Sequence, residues 1–127
     1  MNRIIIAIII SLSIVATCTI STVFLNNVID ETIVKIEKIE EEIISDNTSE
    51  ALCSYEDLLD FWLKNEQKLQ TSIKHSEVEQ VSALIARIGK MIKYSDEKGI
   101  ILGDLDEIKI SLETIQKSSN PTFSNLI

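Results

Sequence analysis

The chain begins with an apolar run and then changes period. From Ile4 to Ile29 no side chain is charged. The stretch Ile4–Leu25 is aliphatic on every side of a helix. At about 1.5 Å per residue it covers about 33 Å, enough to cross a hydrocarbon core of about 30 Å. Beyond it, Ile29, Ile33, Ile36, Ile39 and Ile43 recur on steps of three and four, with Glu37, Lys38, Glu40, Glu41 and Glu42 largely off that stripe. This is the period of an amphipathic helix. No Gly or Pro separates it from the apolar run, so the two can continue as one rod.

Three more helices are predicted after it. Ser45-Asp46-Asn47-Thr48 marks a break, and Asn47 with Glu50 three residues on reads as an N-cap with a reciprocal partner. The helix that follows carries Leu52, Tyr55, Leu59, Trp62, Leu69 and Ile73 on one face, widened by Leu58 and Phe61, and runs to about Ile73. Ser76 with Glu79 has the form of a capping box. It opens a third helix whose buried side is Val78, Val81, Leu84, Ile85, Ile88, Met91 and Ile92, ended by Tyr94-Ser95-Asp96. A fourth shows Ile101, Leu105, Ile108, Leu112 and Ile115 and stops before Ser118-Ser119-Asn120-Pro121. Phe123, Leu126 and Ile127 form an apolar tail.

The expected fold is all-α: an N-terminal transmembrane helix followed by an antiparallel helical bundle of about four helices. Residues 1–3 form a short N-terminal stub, 4–25 the transmembrane helix, 26–119 the acidic bundle and 120–127 the tail. A bundle of about 100 residues folds with little surplus, so a homodimer through the first helix or the anchor would add burial.

The anchor reading has two rivals. A cleaved signal peptide has an apolar core of about 7 to 15 residues and a small-x-small site, and neither matches here. Val15-Ala16-Thr17-Cys18 has the outline of a lipobox, but Thr17 stands where a smaller residue is wanted, and the apolar run continues through Thr19–Leu25. Ser11, Ser13, Thr17, Thr19, Ser21 and Thr22 dilute the run. Their hydroxyls can bond back to helix carbonyls or offer a helix-pairing face.

Charge refines this picture. All 20 acidic residues lie at or after Asp30, and Arg3 is the only one of the 12 basic residues before it, leaving 11 against 20, or −9, beyond the anchor. Such a surface repels nucleic acid and anionic lipid headgroups, so no nucleic-acid partner is expected. Arg3 beside the apolar run places the N-terminus in the cytoplasm and the bundle outside the cell membrane, although Lys35 and Lys38 narrow the bias. One Pro and three Gly in 127 residues agree with long helices.

The segments Trp62-Leu63-Lys64-Asn65-Glu66 and Ile73-Lys74-His75-Ser76-Glu77-Val78, the helix around Leu84–Tyr94, the aliphatic anchor after Met1-Asn2-Arg3 and the terminal Asn125-Leu126-Ile127 resemble the domain of unknown function 4363 family. These are short bacterial proteins, common in clostridia, with an N-terminal membrane helix. The chain departs from the family pattern at Leu126, where Ile is usual, and in carrying Gly99 and Gly103 near the last helix. The resemblance implies the architecture above and suggests a multi-span membrane protein as partner. It assigns no activity.

The residues offer little chemistry. His75 is the only histidine and adjoins Ser76 in sequence at a helix start, where neighbours do not make a triad. It is expected to cap or pack at the turn, with pH sensing or ligand contact as the alternative. One His and two Cys, one of them in the anchor, cannot close a tetrahedral zinc site, and no Gly-rich phosphate loop is present. Glu40-Glu41-Glu42 reads as a solvated face. Cys18 reads as a small lipid-facing residue, and Cys53 as a buried thiol or, in an oxidising compartment, an intermolecular bridge. No enzyme, cofactor or metal is therefore expected. Trp62, His75 and Phe123 are the candidate partner or ligand contacts: Trp62 as core or hot spot, Phe123 as part of a tail that docks or stays free. The expected function is a membrane-anchored accessory module, touching lipid through its first helix; the alternative is an extracytoplasmic sensor or small-ligand module.

Overall fold

In a computed structural model the described residues form four helices: α1 (Asn2–Ile44), α2 (Thr48–Gln70), α3 (His75–Tyr94) and α4 (Lys98–Ser119). The structure describes residues 2–71, 73–95 and 97–119.

The apolar run and the first amphipathic stripe are one unbroken helix of 43 residues, about 64 Å long. Residues 2–20 are exposed on every side. From Leu25 onward the same helix has a buried face of Leu25, Val28, Ile29, Thr32, Ile36, Ile39 and Ile43. Thr32 is tolerated there because its hydroxyl donates to the Val28 carbonyl at 2.7 Å, leaving no unpaired polar group.

The helix ends by backbone chemistry. Asp46 adopts φ +61°, its N–H donates to Ile43 C=O, and Asn47 N–H donates back to Glu42 C=O. This pairing is the Schellman close, with Asp46 where glycine is usual. An ion pair from Lys98 at the head of α4 reaches the same Asp46.

Cross-links between helices give the topology. Glu42 meets Ser54, Lys35 meets Asp57 and Phe24 meets Lys68, so α2 descends as α1 rises. Likewise Asp46 meets Lys98, Glu40 meets Lys109 and Asp30 meets Gln116 along α4. Helix α1 packs on α2 and α4, and α3 closes the ring against both. The result is an up-down-up-down four-helix bundle with short links. Its core is aliphatic, centred on Ile29, Ile36, Ile39, Leu58, Leu69, Ile85, Ile88, Leu105, Ile108 and Leu112, with Trp62 the one large aromatic fully inside among the described residues.

Three local expectations are corrected. Helix α2 begins at Thr48 after Asn47, but the Asn47 side chain makes no cap hydrogen bond. The Ser76–Glu79 capping box does not form, because α3 starts earlier: Lys74 is its N-cap, and the Lys74 carbonyl already accepts from Glu77 and Val78 N–H. Ser76 is thus inside the helix, and Glu79 pairs instead with His75. On α2 the buried face is Ala51, Ser54, Tyr55, Leu58, Trp62 and Leu69, with Leu52 and Leu59 on its flanks. The helix ends at Gln70; Ile73 is beyond it, still buried.

Candidate functional site

At the α2–α3 seam two buried aromatic side chains carry polar groups into the core. Trp62 is 1% exposed, and its Nε1–H donates to Ser82 Oγ at 2.8 Å. Ser82 in turn donates to Glu66 Oε1 at 3.0 Å. A buried indole needs such a partner, and the chain ends on a half-buried carboxylate, so the seam is satisfied internally. One turn and more toward the other end, Tyr55 donates its hydroxyl to the Ile85 carbonyl at 2.8 Å. Burial pushes the Tyr55 phenol above its usual range, partly offset by a hydrogen bond from the Gly89 backbone.

Gly89 makes this contact possible, since a Cβ there would lie 2.5 Å from the Tyr55 ring. The sequence carries a signal for it: a glycine within the periodic run Ile85, Ile88, Ile92 marks a close approach.

The three candidate contacts are not brought together. Trp62 is enclosed in the core and presents no ring surface to solvent. His75 is the first residue of α3, exposed, with Nε2 2.7 Å from Glu79 Oε1. Phe123 lies outside the described residues. Cys53 is exposed, which corrects the expectation of a buried thiol: Ala51, Ser54 and Tyr55 take the inward positions and leave it facing out. Cys18 is exposed on the apolar half of α1.

Along that half, hydroxyls are satisfied within the helix. Ser13 donates to Ile9 C=O, Thr17 to Ser13 C=O, Thr19 to Val15 C=O and Thr22 to Cys18 C=O, all within 2.9 Å. These four back-bonds lower the cost of placing the segment in hydrocarbon. By length and composition α1 is able to cross a membrane.

Ion pairs tie the bundle's flanks. Lys109 lies between α1 and α4 with Nζ 2.8 Å from Glu40 and 3.4 Å from Asp106. The hydrogen bond to Glu40, more than the added charge of Asp106, holds the ammonium above its usual pKa. Lys35 donates to Asp57 at 2.6 Å, which holds that carboxyl below the usual range. The same ammonium lies 5.3 Å from the centre of the Phe61 ring. Arg87 reaches the buried Asp104 at 3.4 Å.

A cleft of about 360 Å³ opens at the far end of the bundle. Ile43, Ala51, Ile92 and Ile101 form its floor, and Asp46, Thr48, Lys93, Ser95 and Lys98 its rim. Among the described residues no group of three or more His, Cys, Asp or Glu side chains converges as a metal site.

Comparison with known proteins adds one finding. No curated protein and no solved structure matches the chain. The family model for the domain of unknown function DUF4363 matches residues 19–126, the whole bundle with the end of the apolar run, and the chain belongs to that family.

Proposed function

We propose that the chain is a single-pass membrane protein whose bundle is a non-enzymatic accessory module for another membrane protein. The N-terminus is cytoplasmic and the bundle extracytoplasmic. The observation that carries this reading is the continuity of α1: exposed and apolar all round over residues 2–20, then a core helix of the bundle from Leu25. A rod without a hinge fixes the bundle against the bilayer surface, where lateral contact with a second membrane protein costs little orientation entropy. The strongly polar side chains at the α2–α3 seam spend their hydrogen bonds inside the fold, which suits a scaffold better than a reaction centre. Arg3 at the exposed tip supports the orientation.

The test is affinity purification of the full chain from detergent-solubilised native membranes, followed by mass spectrometry. A stoichiometric multi-span protein recovered with the wild type is the expected result. Recovery of the chain alone would overturn the reading. Removal of the anchor must stop short of Leu25, because Leu25, Val28 and Ile29 are core residues.

The far-end cleft favours a second reading, a sensor or small-ligand module, since an apolar floor under a polar rim is the usual form of a ligand site. A thermal-shift screen of small amphipathic carboxylates on the full chain in detergent tests it. A concentration-dependent rise in Tm that is lost in Ile101→Trp, which fills the cleft, would favour this reading over the first.

A further inference from the structure

The apolar run of α1 is longer than the part of it that the bundle leaves free. Its aliphatic stretch Ile4–Leu25 rises about 33 Å. The bundle begins to cover the helix before that stretch ends: residues 4–20 are exposed, Ser21, Thr22 and Phe24 are half-buried, and Leu25 is enclosed. The length free to face lipid on every side, Ile4–Ile20, rises only about 25 Å, short of a hydrocarbon core of about 30 Å.

What overlaps the end of the run is polar. Helix α2 descends past Phe24, with Lys68 Nζ 6.0 Å from the centre of its ring, and continues to Gln70 before the link turns into α3. Ile73 is drawn into the core, while Thr71, Lys74, His75 and Ser76 are exposed. The described charged residues of this end have both signs: Lys68, Lys74 and Lys117 with Asp30, Glu31, Glu77 and Glu79. His75 pairs with Glu79, and Asp30 accepts from Gln116 in the last turn of α4. Such a mixture has no attraction for a particular lipid charge, but neither sign enters hydrocarbon cheaply.

The depth of the rod follows from this balance. If Ile4–Leu25 filled the bilayer, the end of α2 and its link would be carried into hydrocarbon beside Phe24. If Ile4–Ile20 fills it, those groups stay among the headgroups and a deficit of about 5 Å falls on the other end. There one long side chain, Arg3, can lay its stem in hydrocarbon and keep its guanidinium at the interface. One snorkelling arginine costs less than several immersed charges.

We propose that the membrane-facing end of the bundle is a seat on the lipid headgroup layer, a stop that sets the depth of α1 so that Ile4–Ile20 alone spans the hydrocarbon. The proposal rests on the reading of α1 as a membrane anchor. The partner is the polar surface of a bilayer of any headgroup charge, and the anchor, not charge attraction, holds the bundle to it. Because the free length is short, tilting the rod would deepen the mismatch, so the rod stands close to the bilayer normal. Because one end is stopped and the other is not, a thicker bilayer draws in the Arg3 end and leaves the bundle where it was.

The test uses the full chain in nanodiscs of dimyristoleoyl, dioleoyl or dierucoyl phosphatidylcholine, in order of increasing thickness. Ile5→Cys, Leu12→Cys and Val23→Cys are made one at a time with Cys18→Ser and Cys53→Ser; all three positions are exposed on α1. Their rates of reaction with a membrane-impermeant maleimide are compared with that of the exposed native Cys53 in a Cys18→Ser sample. From the thinnest to the thickest lipid, reaction at position 5 is expected to fall about tenfold, while reaction at position 23 stays within about twofold of its starting rate and within about tenfold of Cys53. A loss at position 23 that keeps step with position 5, or protection of position 23 in every lipid, overturns the proposal, as does a rate at position 5 that ignores thickness. Reaction at position 12 as fast as at Cys53 would instead overturn the anchor reading itself, a result distinct from these.

Discussion

The two halves of α1 are built from the same aliphatic residues and live in opposite surroundings. Ile4, Ile8 and Ile9 stand exposed, whereas Ile29, Ile36 and Ile39 are fully enclosed by α2 and α4. The apolar content is not what separates them. In the first half, past Arg3, the polar side chains are short, and the hydroxyls of Ser13, Thr17, Thr19 and Thr22 donate back to the helix, which lowers the cost of placing the rod in hydrocarbon. In the second half charged residues appear between the apolar ones, Val34 and Ile44 stay exposed, and one stripe is buried. A spanning segment needs composition; a bundle helix needs position.

The largest test of this difference is a paired truncation. Ile36→Ala removes a fully buried side chain and is expected to cost about 2–4 kcal/mol, a large part of the stability of a small domain. Ile9→Ala, on the exposed half, should change bundle stability by less than about 0.5 kcal/mol. Both are read by chemical denaturation of the full chain in detergent, following Trp62 fluorescence. Equal losses would mean that the apolar half packs on the bundle or on a second copy, and the comparison would fail.

Shape enters at the second level. Gly89→Ala places a methyl where the Tyr55 ring lies within 2.5 Å, and the ring is held by its bond to Ile85. After the gain in helix propensity a net loss of about 1–2 kcal/mol is expected. Ser82→Ala should cost about as much, by leaving the Trp62 N–H buried without an acceptor. A double change, Ser82→Ala with Trp62→Phe, should cost less than the sum of the two single changes, since no donor is then stranded. Unfolding midpoints of the four proteins decide it.

These contacts mark where the sequence stopped being legible. Period and breaks gave four helices, and the continuity of α1 followed from the lack of any Gly or Pro between its halves. Position on a stripe put Trp62 and Tyr55 on the inner side of α2. What the pattern did not contain was rotation and partner choice. Leu58 is the centre of the α2 face and Leu52 a flank because two neighbours, α1 and α3, compete for that helix, and a one-dimensional repeat cannot tell which side each will take. Capping was misread for a similar reason. Ser76 and Glu79 satisfy the box pattern, but Ile73 is pulled into the core and brings the chain into helical geometry at His75 instead. The candidate contacts fared unevenly: burial of Trp62 follows from its stripe, whereas the His75–Glu79 pair depends on a helix start that the capping pattern placed two residues too late.

Alkaline pH probes the flanks that tie α1 into the bundle. The Lys109 ammonium is held above its usual 10.5 by Glu40, so its contribution is full below that value and is lost as pH rises through the folded pKa. The Tyr55 phenol, above its usual 10.0, acts in the same direction, since the unfolded chain ionises first and stability falls from about that pH upward. Stability is therefore expected to decline above about pH 10. Lys109→Met and Tyr55→Phe should each flatten that decline, and Lys109→Met should cost about 1 kcal/mol at neutral pH by stranding Glu40. Variants in the exposed apolar half, such as Ile9→Ala, should keep the wild-type profile. Denaturant midpoints between pH 7 and 11 check this, at ionic strengths held constant.

The smallest expected effect is a gain, and it asks whether the outer surface of the bundle is as tolerant as the exposed apolar half of α1. Gly103 lies within α4, and a Cβ there would meet nothing within 4 Å. Gly103→Ala should therefore add about 0.5–1 kcal/mol, because alanine restricts the unfolded chain without touching the folded one. The identical substitution at Gly89 is predicted to destabilise, so the pair separates backbone propensity from packing within one protein. A rise in the unfolding midpoint of Gly103→Ala supports a free outer face at that turn of α4. A fall would place something against that face, and the candidate would be a second copy of the chain, which a concentration-dependent midpoint in the wild type would reveal.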